Sequence, residues 1–556
     1  MKDDTHPLKK LRVLAAVACI TLMVTALADI HGLLPPWVLT STLWLQFIPS
    51  VLKFSQLATL SAVGFIVVLI FTLLFGRIYC SIICPLGILM DLIGRLRWRV
   101  KKQPRFAYMP PHSFVRYGLL AFTVVTYLAG SIIAIDLLCP FANFSRMTTQ
   151  ILRPVVIGVN NGAAYALEQL GYFGLPPVTL QYVNWLVLAF ALTFLATICW
   201  LVITRGRLYC NLICPVGAVL GWLAKLSLYS IRLNVADCIQ CRQCVHVCKA
   251  GCIDIDAGQI DLSRCVSCFN CLDVCPTDAV GFCTPLIIAP PEILANQQAM
   301  AAQHNHSIFQ HRQRALAFMG RPARNRQQRM AFSRHRRSFL QIMTILACAW
   351  PARLAAASTI VITKLNQIVI KRRYPITPPG AIGVDHFARL CIGCHACIGA
   401  CPTQVLQPTL FSYGGKGMFM PQLNNRVGFC NLDCTRCSQI CPSGAIQPIT
   451  ATAKKRLQIG QVQFVRDNCI VILQGTECGA CSEHCPTKAV DMVLENKVKA
   501  PQINVEICIG CGACEYACPA KPHKAIYVEG NPIHLMAKAP KNTAAPKPAV
   551  STEFPF

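Results

Sequence analysis

Four long apolar stretches dominate the first 204 residues. They run from Leu11 to Ile30, Leu57 to Phe75, Tyr117 to Leu138 and Trp185 to Thr204. Each is close to the ~20 residues a helix needs to cross the hydrocarbon of a bilayer. Four such stretches would make an unusually greasy soluble domain, so they are expected to be membrane spans and not buried soluble helices. Trp37, Trp44 and Tyr182 fall near the expected interfaces, where amphipathic rings prefer to lie. Composition agrees, with 54% hydrophobic and 14% charged residues.

Basic residues orient the spans. Lys9, Lys10 and Arg12 precede the first, seven Lys and Arg between Arg77 and Arg105 follow the second, and Arg205, Arg207 and Lys225 follow the fourth. The other two loops carry only Lys53, Arg146 and Arg153. Positive loops stay inside, which places the N-terminus and the residues after 205 in the cytoplasm. The formal charge of +28 raises the question of nucleic acid. These residues lie in membrane-flanking loops and one linker, beside no nucleic-acid motif, so no nucleic-acid partner is expected.

A motif repeats within this half. Gly76-Arg77-Ile78-Tyr79-Cys80 leads to Cys84-Pro85-Leu86-Gly87, and Gly206-Arg207-Leu208-Tyr209-Cys210 leads to Cys214-Pro215-Val216-Gly217. Each copy follows an even-numbered span. The expected fold is therefore an α-helical membrane domain of four spans in two pseudo-symmetric units, over residues 1–225. Cys80 and Cys84 share a face if helical, as do Cys210 and Cys214. Three readings stay open for this quartet: an additional metal centre, the lining of a quinol pocket, or small residues packed at helix ends. Cys19, Cys139, Cys199 and Cys348 read as apolar filling. Asp29 and Asp136, near the outer ends of spans one and three, are candidate acceptors of quinol protons, with interfacial solvation as the plain alternative. No His lies inside a span, which argues against a membrane haem.

Of the 34 cysteines, most fall in regular runs. Cys238, Cys241, Cys244 and Cys248 follow C-x-x-C-x-x-C-x-x-x-C, and Cys265, Cys268, Cys271 and Cys275 repeat it before Pro276. Three cysteines of such a run grip one 4Fe–4S cluster and the fourth reaches to the other. Cys238, Cys241, Cys244 and Cys275 should hold one cluster; Cys265, Cys268, Cys271 and Cys248 should hold its neighbour. Zinc sites group cysteines in pairs, not in runs of four. Residues 226–285 are thus expected to form a cytoplasmic two-cluster domain. Lys249 stands where Pro is usual, and Cys252 and Cys283 are expected to pack.

Residues 286–332 read as a basic linker without periodicity. Ser333-Arg334-His335-Arg336-Arg337-Ser338-Phe339-Leu340-Gln341 follows, then a short apolar stretch and Ala355-Ala356-Ala357. This resembles a twin-arginine export signal, over residues 333–362, with a fifth span as the alternative. Either would place the remainder outside. Four more cysteine runs occupy residues 386–535. They are Cys391, Cys394, Cys397, Cys401; Cys430, Cys434, Cys437, Cys441; Cys469, Cys478, Cys481, Cys485; and Cys508, Cys511, Cys514, Cys518. Each ends before proline, and together they supply ligands for four clusters. Fourth cysteines are expected to be exchanged outer run with outer and inner with inner. The C-x-x-C-H pattern at Cys391 to His395 mimics a haem attachment site, but Cys397 and Cys401 complete a ferredoxin run around it. The tail over 536–556 is expected to be disordered.

These motifs together resemble two proteins joined end to end. Residues 1 to about 290 resemble the NapH-type membrane ferredoxin of periplasmic nitrate reductase systems. Residues from about 333 to 535 resemble its NapG-type partner. The resemblance implies α+β bacterial-ferredoxin-like domains, six 4Fe–4S clusters and an inner-membrane, multi-pass location, with residues 386–535 in the periplasm. It implies a quinol dehydrogenase component that takes electrons from menaquinol or ubiquinol and passes them to a periplasmic redox partner, a cytochrome or reductase. Nitrate reductase is the first expectation for the acceptor. A maturation factor that supplies electrons to a metalloenzyme without turning over quinol is the alternative. No Gly-rich nucleotide motif of strand–turn–helix form occurs.

Overall fold

The computed structural model describes residues 6–57, 63–100, 106–180, 183–284, 370–495 and 498–538. They belong to one compact unit built from the chain up to Thr284 and from Ile368 onward. The basic linker, the twin-arginine-like segment with Cys348, and the tail beyond 538 lie outside the described residues.

Apolar composition dictates the helical half. α1 (Pro7–Ala28) starts at a proline in its first turn, where a missing N–H costs nothing. α2 (Pro36–Trp44) and α3 (Phe47–Leu57) form a short pair, and α4 (Gly64–Phe75) follows. α5 (Tyr79–Ile82) and α6 (Pro85–Val100) carry the first copy of the repeated motif. α7 (Ser113–Leu128), α8 (Ile133–Leu138), α9 (Pro140–Met147) and α10 (Arg153–Gln169) precede α11 (Trp185–Arg205). A five-residue π turn over Tyr209–Ile213 and α12 (Pro215–Leu223) carry the second copy. Leu86, Met90, Phe141, Ile198 and Leu220 pack their common core and are almost wholly buried.

Among the described residues two helices, α1 and α11, are long and apolar enough to cross a bilayer. The other two expected spans differ from the sequence reading. The described part of the second is the shorter α4. The third breaks: α7 ends at Leu128, Gly130 turns the chain at φ 84°, and α8 restarts at Ile133. Hydropathy misses this break because Ala129-Gly130-Ser131 is not polar; only the left-handed glycine marks it.

Two ferredoxin-type modules cap opposite ends of this bundle. The first spans residues 230–283. Its strands Ser230–Leu233 and Val280–Cys283 pair antiparallel, Ser230 opposite Cys283, around helices Gln243–Val247 and Asn270–Val274. It touches the start of α1, where His6 N–H donates to Asp273 at 2.8 Å. It also touches the end of α4, through Ser267 to the Phe75 carbonyl at 3.2 Å. Arg116 of α7 donates to the Ser263 carbonyl at 3.0 Å, and Arg207 N–H beyond α11 donates to the Lys249 carbonyl at 2.8 Å.

The second module begins near Ile376 and meets the other ends of the same helices. Arg436 donates to the His31 carbonyl beyond α1 at 3.4 Å. Ile132 N–H donates to the Lys416 carbonyl at 2.8 Å, and Asn184, capping α11, donates to the Pro408 carbonyl at 3.4 Å. The module holds two units. In one, Leu406–Thr409 pairs with Met420–Leu423; in the other, Leu457–Phe464 pairs with Ile526–Met536 and encloses the hairpin of Val490–Glu495 with Val498–Ile503.

One buried cation fastens this module. Arg146 of α9 is 0% exposed, pairs with the equally buried Asp136 at 3.1 Å, and donates to the carbonyls of Ile392 at 3.0 Å and Gly393 at 2.6 Å. Removing one partner of a buried pair leaves an uncompensated charge, at a cost of about 3–5 kcal/mol. Arg146→Met should therefore lower the melting temperature in detergent markedly and open the module to protease. Arg466→Met, which breaks the exposed pair with Glu495, should leave melting unchanged.

Candidate metal centres

Backbone twist gathers the cysteines. In four runs the second and fourth residues after the first cysteine are left-handed: Gln240 and Arg242, Ser267 and Phe269, Gly393 and His395, Gly510 and Gly512. Glycine adopts this freely; the others pay about 1 kcal/mol each, a cost borne where the fold demands it. The alternation curls three cysteines around one centre and turns amides inward. The N–H of Gly510 donates to Cys508 Sγ at 3.4 Å, and that of Gly393 donates to the Cys391 sulfur. Such a nest of N–H groups favours an anion.

The cysteines then stand in sets of four. Cys248, Cys265, Cys268 and Cys271 line one apolar cavity. Cys244 lies within electrostatic reach of Cys238, Cys241 and Cys275. Both sets in the first module match the sequence expectation. In the second module the expected outer-with-outer exchange is not the one the fold makes. Cys401 joins Cys430, Cys434 and Cys437 around a cavity. Cys441 completes the set of Cys391, Cys394 and Cys397. Cys518 joins Cys469, Cys478 and Cys481, and Cys485 joins Cys508, Cys511 and Cys514. Each run exchanges with its sequence neighbour because each pair of runs folds as one α+β unit.

These sets fit cubane clusters. The described cysteines are all free thiols. The sulfurs surround cavities, as a cluster with iron at each corner requires. Burial pushes the Cys511 thiol up to about 12 and the Cys481 thiol up to about 11, so thiolates there need a metal in the proton's place.

Successive sets adjoin. Cys430 N–H donates to the Cys511 carbonyl at 2.9 Å, which links the two units of the second module. Cys397 lies within electrostatic reach of Cys437, and Cys271 of Cys244. His395 is no haem ligand in this arrangement. Burial first, then Arg146, push its pKa down to about 3, and its Nε2 meets the Phe419 carbonyl at 2.9 Å.

The quartet of the repeated motif also comes together. Cys80, Cys84, Cys210 and Cys214 are buried within one core. The two aspartates do other work. Asp29 accepts the N–H groups of Gly32, Leu33 and Leu34, a turn role, and Asp136 is the partner of Arg146. Neither lines a further cavity, of about 220 Å³. That cavity opens between α2, α3 and the second module and is lined by Thr40, Ser41, Trp44, Lys53, Gln439 and Cys441, among others.

Several residues here escape a sequence reading. Cys252 sits 3.6 Å from Cys248 and lines the same cavity as a fifth thiol. Lys454 donates to the carbonyls of Asn431 and Cys434 beside another cavity. Lys249 pairs with Asp91 of α6 at 3.2 Å, so the missing proline serves docking. Burial opposes ionisation of Asp91, but Arg207, Lys249 and Arg12 overcome it and hold the carboxyl well below the usual range. Only Lys249, by its departure from the motif, carries a signal in the sequence.

Paired α+β units with thiols in fours around apolar cavities define a ferredoxin-type iron–sulfur electron-transfer protein. Comparison with known proteins agrees. A 4Fe–4S binding domain matches residues 57–105 and 187–234, and 4Fe–4S dicluster domains match 237–279, 474–521 and 390–446. The chain is 29% identical to the ferredoxin-type protein NapF of Escherichia coli K12, over 28% of this chain and 87% of the relative. It is 32% identical to the ferredoxin-type protein NapG of the same strain, over 26% and 65%. It is 28% identical to the methylamine utilization ferredoxin-type protein MauM of Methylophilus methylotrophus, over 28% and 74%. No solved structure matches. The chain is thus related to the Nap ferredoxins.

The ligand exchange has a spectroscopic test. Cys401→Ser should alter the same electron paramagnetic resonance signal as Cys430→Ser, and Cys441→Ser the same signal as Cys391→Ser. Shared signals for Cys401 and Cys508 variants would instead restore the outer-with-outer pairing.

Proposed function

We propose that the chain is a four-span inner-membrane quinol dehydrogenase component, a fusion of NapH-like and NapG-like halves, that passes electrons to a periplasmic reductase. Nitrate reductase is the first candidate acceptor. The carrying observation is the placement of two ferredoxin modules at opposite ends of one apolar bundle. α1, at 22 residues and about 1.5 Å each, reaches about 33 Å, close to the hydrocarbon thickness of a bilayer. Only 33% of its apolar window and 28% of that of α11 are buried. Phe114, Leu14 and Trp185 likewise point outward. So much exposed apolar surface calls for lipid. The basic loops then set the first module in the cytoplasm and the second outside.

Quinol fits the cavity beside Cys441. Exposed Trp37, Val51 and Phe54 of α2 and α3 give an isoprenoid tail an apolar approach. Thr40, Ser41 and Gln439 offer hydroxyl and amide partners to a head group, and Lys53 adds a cation at the same wall. Oxidation releases two electrons and two protons, and these polar side chains give the protons an exit to the outer face. The clusters, when bound, supply one-electron carriers. The chain's own part is to bury, space and insulate them. Cys478 and Cys481, only partly buried, place the outermost set where a docking partner can reach it.

Menaquinol or ubiquinol added to the anaerobic protein should bleach the cluster absorbance. Filling the cavity with Ser41→Trp, or removing polar groups with Lys53→Met and Gln439→Leu, should slow this bleaching about tenfold or more while dithionite still reduces every cluster. Absence of bleaching by either quinol would reject the dehydrogenase and favour a maturation factor.

A further inference from the structure

The run that starts at Cys430 departs from the regular pattern in sequence and in backbone. Its first gap holds Asn431, Leu432 and Asp433, where a regular run holds two residues. No residue between Cys430 and Cys437 is left-handed, so this run lacks the amide nest that four others turn toward their sulfurs. One lysine stands in its place. Lys454 ends the short helix Ala451–Lys454, whose start Thr450 caps by accepting the Ala453 N–H at 3.2 Å. Its ammonium donates to the carbonyls of Asn431 and Cys434, one near each end of the stretched gap. The side chain is 4% exposed and lines the same cavity as Cys401, Cys430, Cys434 and Cys437.

The charge of Lys454 is not cancelled locally. Among the described residues no carboxylate pairs with it; Asp433, in the gap itself, pairs with the exposed Lys455 at 2.8 Å. Two other cations beside cysteine sets are answered. Arg146, near Cys394, has Asp136 at 3.1 Å, and Lys249, near Cys268, has Asp91 at 3.2 Å. The cavities that hold Cys248, Cys478 and Cys485 have no charged side chain in their walls. Arg153 of α10 lies within electrostatic reach of Cys401 and adds to the same side. A buried cation favours the more negative state of whatever it faces, and a centre held by thiolates is most negative when reduced.

We propose that Lys454 tunes the electron path: its charge raises the reduction potential of the centre held by Cys401, Cys430, Cys434 and Cys437, so that this centre is the first in the second module to accept an electron. The place suits a collecting point. On one side is the set of Cys391, Cys394, Cys397 and Cys441, and Cys441 lines the cavity assigned above to quinol. On the other, the Cys430 N–H donates to the Cys511 carbonyl at 2.9 Å. One electron passes from the Cys391 set, which is oxidised, to the Cys401 set, which is reduced, with no bond made or broken. Holding it there frees the set nearest quinol to take the second electron of the pair. Quinol as the source rests on the function proposed above; the effect of Lys454 on the potential does not.

The full chain, purified anaerobically in detergent and titrated with dithionite and redox mediators, tests this by electron paramagnetic resonance without quinol. Among the signals of the second module, the one that Cys401→Ser alters should appear at the highest potential. Lys454→Gln keeps a donor for the carbonyls and removes the charge. It should move that signal to a more negative potential at unchanged iron and leave the others in place. Lys454→Arg should hold it near the parent value. An unmoved signal in Lys454→Gln at full iron would overturn the proposal, and so would a Cys401-linked signal that is not the first to appear. If Lys454→Gln loses iron, the order of signals in the parent protein decides alone. Failure of quinol to reduce the protein, with this order intact, would reject the proposed function and leave the role of Lys454 standing.

Discussion

Four thiolates crowded into an apolar cavity repel one another and have no water to screen them. Burial favours their protonated form, so the thiolates need iron in the place of the protons. This constraint explains the left-handed pairs at Ser267 and Phe269 or Gly510 and Gly512, the inward amides, and the cations set beside the sulfurs. Lys454 stands at one cavity and Arg146 beside Cys394. Backbone strain and buried charge, each unfavourable alone, become favourable around an anionic cluster.

The helical bundle acts as a frame that keeps the two modules apart and in register. Its ends are fastened by buried guanidinium groups that donate to backbone carbonyls across each junction: Arg146 to Ile392 and Gly393 at one end, Arg116 and Arg77 to Ser263 at the other. Carbonyl acceptors suit this task because they do not depend on a particular side chain in the module. The same helices present apolar faces outward, so frame and membrane anchor are one structure in the proposed placement.

Much of the site was legible in the sequence, because cysteine spacing within a run maps directly onto sulfur positions around one centre. Pairing between runs was not. Whether Cys401 joins Cys430 or the last run depends on which strands close each unit, and short strands such as Leu406–Thr409 carry little pattern. The repeat at Arg77 and Arg207 foretold two related units, but not that each arginine reaches into the other copy. Hydropathy located α1 and α11 well, yet read through the turn at Gly130. Asp29 and Asp136 looked like proton acceptors because ionisable residues are rare there; one closes a turn and the other neutralises Arg146. Cys139 read as filling, and it is wholly buried.

The account depends on which metal the cysteines hold. The direct measurement is iron, zinc and acid-labile sulfide per chain in anaerobically purified full-length protein. Iron and sulfide in equal amounts, at least four of each for every one of the six ferredoxin-type sets and with zinc only in traces, is the predicted result. Stoichiometric zinc with no labile sulfide would contradict it.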